Sequence, residues 1–253
     1  GGEGIGLYMM AYPIYQIIVS ISAAGIPVAI SIMIAEKLAN RDMRGVQQVF
    51  NVSLRVLTLV GIIFSVGLYA SAEWLIKWNI ITDPRALIPI QLLSPAIIVV
   101  TILSCFRGYF QGFQYMVPTG TSQVFEQIFR VGSMVGLAYY FIDSGLHLAA
   151  GGATFATFPG VLAGLIVLVY FYRSQRSLRQ QMLSEQNEEA TIERTSAVIK
   201  RLFALAIPVS MANIMLPMVS LIDTFIVPKR LMDIGYYLHE ATTQFGYLTG
   251  MAT

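Results

Sequence analysis

The stretch "GLYMMAYPIYQIIVSISAAGIPVAISIMIA", residues 6 to 35, decides the class of this chain. No Asp, Glu, Lys or Arg stands between Glu3 and Glu36. At about 1.5 Å of rise per residue, a helix over such a run crosses about 30 Å of hydrocarbon. Working outward, charge-free gaps recur between Arg85 and Arg107, between Asp143 and Arg173, and between Arg201 and Asp223. Over 253 residues, 56% are hydrophobic and 12% charged, where a soluble domain carries about 25% charged residues. Mean hydropathy is +0.67. The alternating segments of an outer-membrane barrel are missing from the pattern. The expected fold class is all-α, a polytopic transmembrane helix bundle.

Six spans are readable: Tyr8 to Ala35 with Pro13 and Pro27, Val46 to Ala72 carrying Arg55, Leu87 to Phe106 with Pro89 and Pro95, Thr121 to Ile142, Leu148 to Tyr172 interrupted at Pro159-Gly160, and Leu202 to Val227 with Pro208 and Pro217. A seventh begins near Phe245. Proline inside spans is tolerated where neighbouring helices and hydroxyls satisfy the freed carbonyls. Trp74 and Trp78 around Lys77, and Tyr170 and Tyr172 before Arg173, read as interfacial anchors.

The basic residues set the orientation. Lys37, Arg41, Arg44, Arg107, Arg173, Arg176, Arg179, Arg194, Lys200 and Arg201 fall in loops on one side, and Lys77, Arg85, Lys229 and Arg230 on the other. The richer side is expected to be cytoplasmic, which puts the start of the chain outside. The segment from Arg173 to Arg201 has basic ends around an acidic middle (Glu185, Glu188, Glu189, Glu193) and neither glycine nor proline. It reads as a solvated, partly helical connector.

Charges inside spans are the functional candidates, because a charge at mid-bilayer costs about 2.5–3.5 kcal/mol and normally faces a bundle interior or a wet cavity. Arg55 lies about nine residues into its span, roughly 13 Å deep at 1.5 Å per residue. Glu126 and Arg130, spaced i,i+4, share a helix face on a span entered from the same side. Arginine suits bidentate phosphate contact. The plainer alternatives are an internal Glu126–Arg130 ion pair and an Arg55 that snorkels to headgroups. Asp223 is a weaker candidate, near the outer end of its span, where an interfacial or packing role is expected. His147 and His239 have no ligand partners in sequence. No metal-ligand spacing, nucleophile constellation or glycine-rich phosphate loop stands out, so neither an enzyme nor a cofactor is expected, and nothing points to nucleic acid. The lone Cys105 has no partner for an intrachain disulfide. "GVLAGLIVL", residues 160 to 168, reads as a helix-packing face.

Three stretches, "GEGIGLYMMAYPIYQIIVSISAAGIPVAISIMIAE" (2 to 36), "RGYFQGFQYMVPTGTSQVFEQIFRV" (107 to 131) and "IPVSMANIMLPMVSLIDTFIVPKRL" (207 to 231), closely resemble the stage V sporulation protein B and MurJ-like branch of the MOP flippase superfamily. The resemblance covers nearly the whole chain. It implies an N-lobe over residues 1–173 (the family's helices two to six), a cytoplasmic linker over 174–201, and the start of a C-lobe over 202–253 (helix seven and the beginning of helix eight). The chain then reads as a fragment cut at both ends. "LTGMA" at 248 to 252 echoes "LYMMA" at 7 to 11, as a two-lobe repeat would.

By that resemblance, two lobes rock about a central cavity in the bacterial cytoplasmic membrane. They turn an undecaprenyl-pyrophosphate-linked sugar, a lipid II-like precursor of peptidoglycan or polysaccharide, to the outer leaflet. Cavity arginines would engage the pyrophosphate, with Arg55 and Arg130 the candidates here. The resemblance also leads one to expect a basic residue after "PVAIS", where this sequence has Ile32. A second reading is a cation-coupled multidrug exporter of the same superfamily, which adds a coupling cation to the partners and wants an acidic residue in the N-lobe cavity, where Glu126 qualifies. A third, an intramembrane sugar polymerase or transferase, wants a large polar outer loop with paired acids, and the outer loops here are short.

Overall fold

The computed structural model describes residues 2–78, 81, 83–184 and 193–250. The described residues form ten α-helices and no strand: α1 (Gly2–Val19), α2 (Ile26–Ala39), α3 (Met43–Lys77), α4 (Leu87–Gly112), α5 (Val117–Phe141), α6 (Leu146–Phe155), α7 (Thr157–Ser174), α8 (Arg176–Ser184), α9 (Thr195–Asp233) and α10 (Leu238–Gly250).

The prolines bend the spans as expected, displaced by local hydrogen bonding. A π-helical turn, Ser20–Ala24, joins α1 to α2 just before Pro27. The fifth span breaks at Ala156, three residues ahead of Pro159. Pro159 sits in the first turn of α7, where a missing N–H costs nothing. In α4, Pro95 frees the Gln91 carbonyl, and the Ser94 hydroxyl donates to it at 2.8 Å.

Five segments are long and apolar enough to cross a membrane: Gly2–Ala39, Met43–Lys77, Pro84–Gly112, Leu146–Ser174 and Thr195–Asp233. The expected fourth span is present as the 25-residue α5 but is not among the five. Gln123, Glu126, Gln127 and Arg130 dilute its apolar run. It lies along α6 and α7.

Packing depends on small residues, as it must where lipid tails are as apolar as leucine. Gly108 and Gly112 of α4 face α2 so closely that a methyl on either would come within 2.8 Å of Ile30 or Ile34. One apolar core gathers Ile30, Phe50, Leu103, Phe110 and Leu202. It lies toward the end of the bundle where Lys37, Arg173 and Arg201 collect. A second gathers Met10, Leu68, Ile90, Leu93 and Phe245 toward the opposite end. An aromatic cluster seals the basic end, with Phe50 stacked on Tyr172 at 4.9 Å and Tyr109 edge-on to both. Arg179 of α8 covers the Tyr172 ring at 3.8 Å and donates to the Tyr172 carbonyl, which pins α8 across that end.

The expected connector over 174–201 is helical at its start, in α8, and at its finish, in the first turns of α9. Glu193 ties it to the bundle, accepting from Lys37 Nζ at 2.6 Å. Glu185, Glu188 and Glu189 lie outside the described residues. Arg201 pairs with Glu36 across α9 and α2.

Candidate functional site

Two close backbone contacts decide where the interior opens. At one end α1 meets α10, where a methyl on Gly6 would fall on the Thr242 carbonyl oxygen and one on Gly246 on the Gly2 carbonyl oxygen. Toward the basic end the turn before α2 meets α9. The Gly25 N–H donates to Ser210 Oγ at 3.1 Å, and a methyl on Gly25 would fall on the Ala206 carbonyl oxygen. Between these contacts α1, α9 and α10 enclose an open hollow of about 770 Å³. The π turn of α1 and Pro217 of α9 both lie on its wall. Pro217 frees the Asn213 carbonyl, and Ser20 Oγ of the π turn approaches it at 3.5 Å. Deformable helix geometry on both sides of a hollow is a common feature of functional sites.

The wall mixes apolar surface (Met9, Leu216, Phe245) with polar groups: Tyr12, Gln16, Asn213, Ser220 and Asp223. Polar groups at this depth are stable where they face water or a solute rather than lipid. Asn213 uses one amide N–H on the Val209 carbonyl at 2.9 Å, which leaves its carbonyl oxygen and second N–H for a ligand. No Lys or Arg lines the hollow among the described residues.

The candidates read from sequence fall apart spatially. Asp223, the weaker candidate, is the one that lines the hollow. Arg55 does not line it. The packed stripe of α3 runs through Val49, Ser53, Leu57 and Gly61. Arg55, two residues from both Ser53 and Leu57, points the opposite way, about 200° around the helix. It ends an exposed polar stripe of Arg44, Gln47, Asn51 and Arg55, beyond which the same face turns apolar at Leu59, Ile62 and Val66. α3 has 35 residues, about 50 Å of helix, longer than the roughly 30 Å of hydrocarbon it would cross.

Glu126 and Arg130 do not pair with each other. Glu126 Oε2 takes Arg107 Nη2 of α4 at 2.6 Å, with both side chains mostly buried. Arg130 Nη2 donates to neutral Gln127 at 3.0 Å. Both sit where α5 crosses α7: a methyl on Gly160 would come 2.7 Å from Arg130 Cβ, and one on Gly164 3.4 Å from Glu126 Cβ. Among the described residues no carboxylate is bound to Arg130. Ile32, at the position where a basic residue was expected, is an exposed apolar side chain. His147 and His239 are not on the wall.

Sequence reasoning missed Tyr12, Gln16 and Asn213 because it searched the spans for charge. The signal was present as neutral polar groups on one helical face, Asn213, Ser220 and Asp223 at i, i+7 and i+10, and Tyr12 with Gln16 at i, i+4.

Comparison with known proteins places this geometry. The sequence profile of a family described as polysaccharide biosynthesis protein matches residues 1–247. Stage V sporulation protein B of Bacillus subtilis (strain 168) is 29% identical over 252 residues, covering 100% of this chain and 48% of that protein. The lipid II flippase MurJ of the same strain is 28% identical over 254 residues, covering 96% of this chain and 46% of that protein. The chain thus spans about half the length of the curated relatives it matches. Among solved structures, an inward-facing multidrug resistance MATE family transporter of the MOP superfamily superposes with a TM-score of 0.73 over 97% of this chain and 53% of the other, at 17% identity. At that identity the likeness speaks for the fold. Five apolar helices together with these relatives make the chain a multi-pass protein of the bacterial cytoplasmic membrane.

Proposed function

The chain belongs to the polysaccharide biosynthesis protein family of the MOP superfamily, and from that premise we propose that it is part of a lipid-linked sugar flippase. Its cargo is an undecaprenyl-pyrophosphate-linked cell-wall or polysaccharide precursor, turned across the membrane by alternating access; the chain is a transporter rather than an enzyme. The observation that carries this is the 770 Å³ hollow, a size suited to a bulky headgroup and set between deformable helices. Its amides, hydroxyls and the Tyr12 and Phe245 rings match what sugar hydroxyls and sugar faces need.

The pyrophosphate is assigned to other groups, since the described wall holds no cation. Arg130 is the N-lobe candidate: Arg107 occupies Glu126, so the Arg130 charge is left to attract an anion. Arg55 is assigned to headgroup contact at the membrane surface. The second reading, a cation-coupled exporter, has Asp223 in its favour, a carboxylate on the wall where a coupling cation would be neutralised.

The test uses the full-length protein purified in detergent. Mass spectrometry should find a lipid-linked sugar pyrophosphate with the parent and lose it with Gln16→Leu plus Asn213→Leu. Efflux of cationic drugs from cells, with no glycolipid on the purified protein, would turn the assignment to the exporter.

A further inference from the structure

At the end of the bundle remote from Arg201, a carboxylate is buried that the hollow does not use. Asp83, in the turn before α4, has no exposed surface. Its Oδ1 accepts from the Arg85 backbone N–H and from Arg85 Nε, both at 3.0 Å, and its Oδ2 from Arg85 Nη2 at 2.7 Å. The fourth donor lies 159 residues further along the chain: the fully buried Thr242 Oγ1 of α10, whose single proton is shared between Oδ2 at 3.2 Å and the Leu238 carbonyl of its own helix at 2.9 Å. Arg85 Nη1 meanwhile donates to Glu3 Oε1 of α1 at 2.6 Å. One guanidinium fixes the turn to α1, and the carboxylate it orients holds α10. Beside this cluster α1 and α10 touch through Gly6 and Gly246, backbone against backbone.

We infer that the Asp83–Thr242 hydrogen bond is a latch that shuts the hollow on this side, the outer one by the distribution of basic residues, and opens when α10 parts from α1. The inference rests on the alternating-access reading above. Two features make the contact separable rather than merely structural. Three of the four bonds to Asp83 come from Arg85, two residues away, so they persist whatever α10 does. Parting α10 therefore costs one charge-assisted hydrogen bond and leaves no uncompensated buried charge. The glycine contact, in turn, sets backbone against backbone, with the Tyr247 ring lying over Gly2. Gly2 and Gly6 on α1, and Gly246 and Gly250 on α10, are both small-xxx-small pairs, which let the backbones approach closely, and Phe245 is the α10 side chain that leaves the core beside Met10 when they part.

The experiment reads access to the hollow and needs no cargo. In the full-length protein, with Cys105→Ser and no other cysteine, Leu248→Cys places a thiol on the hollow wall. Intact cells are treated with a membrane-impermeant maleimide. Thr242→Val keeps the shape of the side chain and removes the donor. It should speed labelling about tenfold, the shift expected when about 1.4 kcal/mol of latch is lost. Thr242→Ser keeps the donor and should label as the parent does. Thr243→Val serves as control, because among the described residues Thr243 bonds only the His239 carbonyl of its own helix. Should Thr242→Val fail to reach the membrane, Gly246→Ala disturbs the same contact through the Gly2 carbonyl and should also speed labelling. Parental labelling rates in Thr242→Val, or in Gly246→Ala where that variant replaces it, or equal acceleration in Thr242→Ser, would overturn the latch. A variant set that labels as expected in a protein that binds no lipid-linked sugar would instead refute the cargo and leave the latch standing.

Discussion

Arg107 and Glu126, nineteen residues apart in sequence, meet at 2.6 Å between α4 and α5. The contact separates Glu126 from the arginine one turn further along its own helix. It makes Glu126 part of the scaffold and leaves Arg130 with neutral Gln127 as its hydrogen-bond partner. Gly164 of α7 lies against Glu126, so the ion pair is held where three helices cross.

Breaking that pair leaves a charge in a site where only 14–18% of either side chain is exposed. Removing one partner of a buried pair is far costlier than removing both, at about 3 kcal/mol or more. Glu126→Leu and Arg107→Leu should each lower the melting temperature of the full-length protein in detergent, and the double variant should recover most of the loss. Single and double variants that melt together would mean the pair is solvated and contributes nothing.

Arg130→Gln and Arg55→Gln separate site from surface. Neither side chain carries a salt bridge among the described residues, so each change should alter stability by no more than about 0.5 kcal/mol. Arg130→Gln should abolish complementation of a flippase-depleted host, while Arg55→Gln should support growth. Growth with Arg130→Gln at parental expression would remove Arg130 from the anion path.

The helices were legible because hydrophobic length is a property of the chain alone, and charge-free runs such as 4–35 announce themselves. Pairing was not. The i,i+4 spacing of Glu126 and Arg130 suggests a pair on one helix, but it gives no hint that Arg107 arrives first from the preceding helix. The same blindness applies to Arg55, whose direction depends on which stripe of α3 is packed. That Asp223 lines the hollow was not legible in sequence, because the wall it shares is built by α1 and α10, more than 200 residues apart in sequence at their starts. The glycines of 160 to 168, by contrast, pack as a small-residue face is expected to, against α5.

Asp83 predicts a pH response with a definite sign. Burial alone would raise its pKa, but the hydrogen bonds from Arg85 outweigh it, helped by the Arg85 charge and Thr242, and hold the carboxyl below the ordinary carboxylate range. A depressed pKa gives stability that is fully present above the unfolded value, about 3.9, and is lost as pH falls through the lower folded value. The charged groups nearest the site are Arg85 and Glu3, with His239 and Glu240 at the start of α10. The ratio of Leu248→Cys labelling rates between Thr242→Val and the parent, in which the loss of thiolate at low pH cancels, should therefore stay flat from pH 7 to pH 5. It should fall toward one only where Asp83 itself is protonated, below the ordinary carboxylate range. A change in that ratio centred near pH 6 would dissociate the sensitivity from Asp83.

Gly25 is the counterpart of the latch toward the basic end, and it should be the least replaceable small residue in the hollow's frame. Its N–H is committed to Ser210, and any Cβ would collide with the Ala206 carbonyl, which belongs to a helix backbone and has little room to retreat. Gly25→Ala should cost about 1–3 kcal/mol through overpacking, and α9 should shift away from the π turn that lines the hollow. Gly67→Ala on α3 is the matched comparison: nothing lies within 4 Å of its added methyl, and helix propensity favours the alanine by about 1 kcal/mol. Melting curves of the two full-length variants should fall on opposite sides of the parent. If Gly25→Ala melts with the parent, the α2–α9 contact is looser than its geometry indicates, and the hollow is not closed at that end by this glycine.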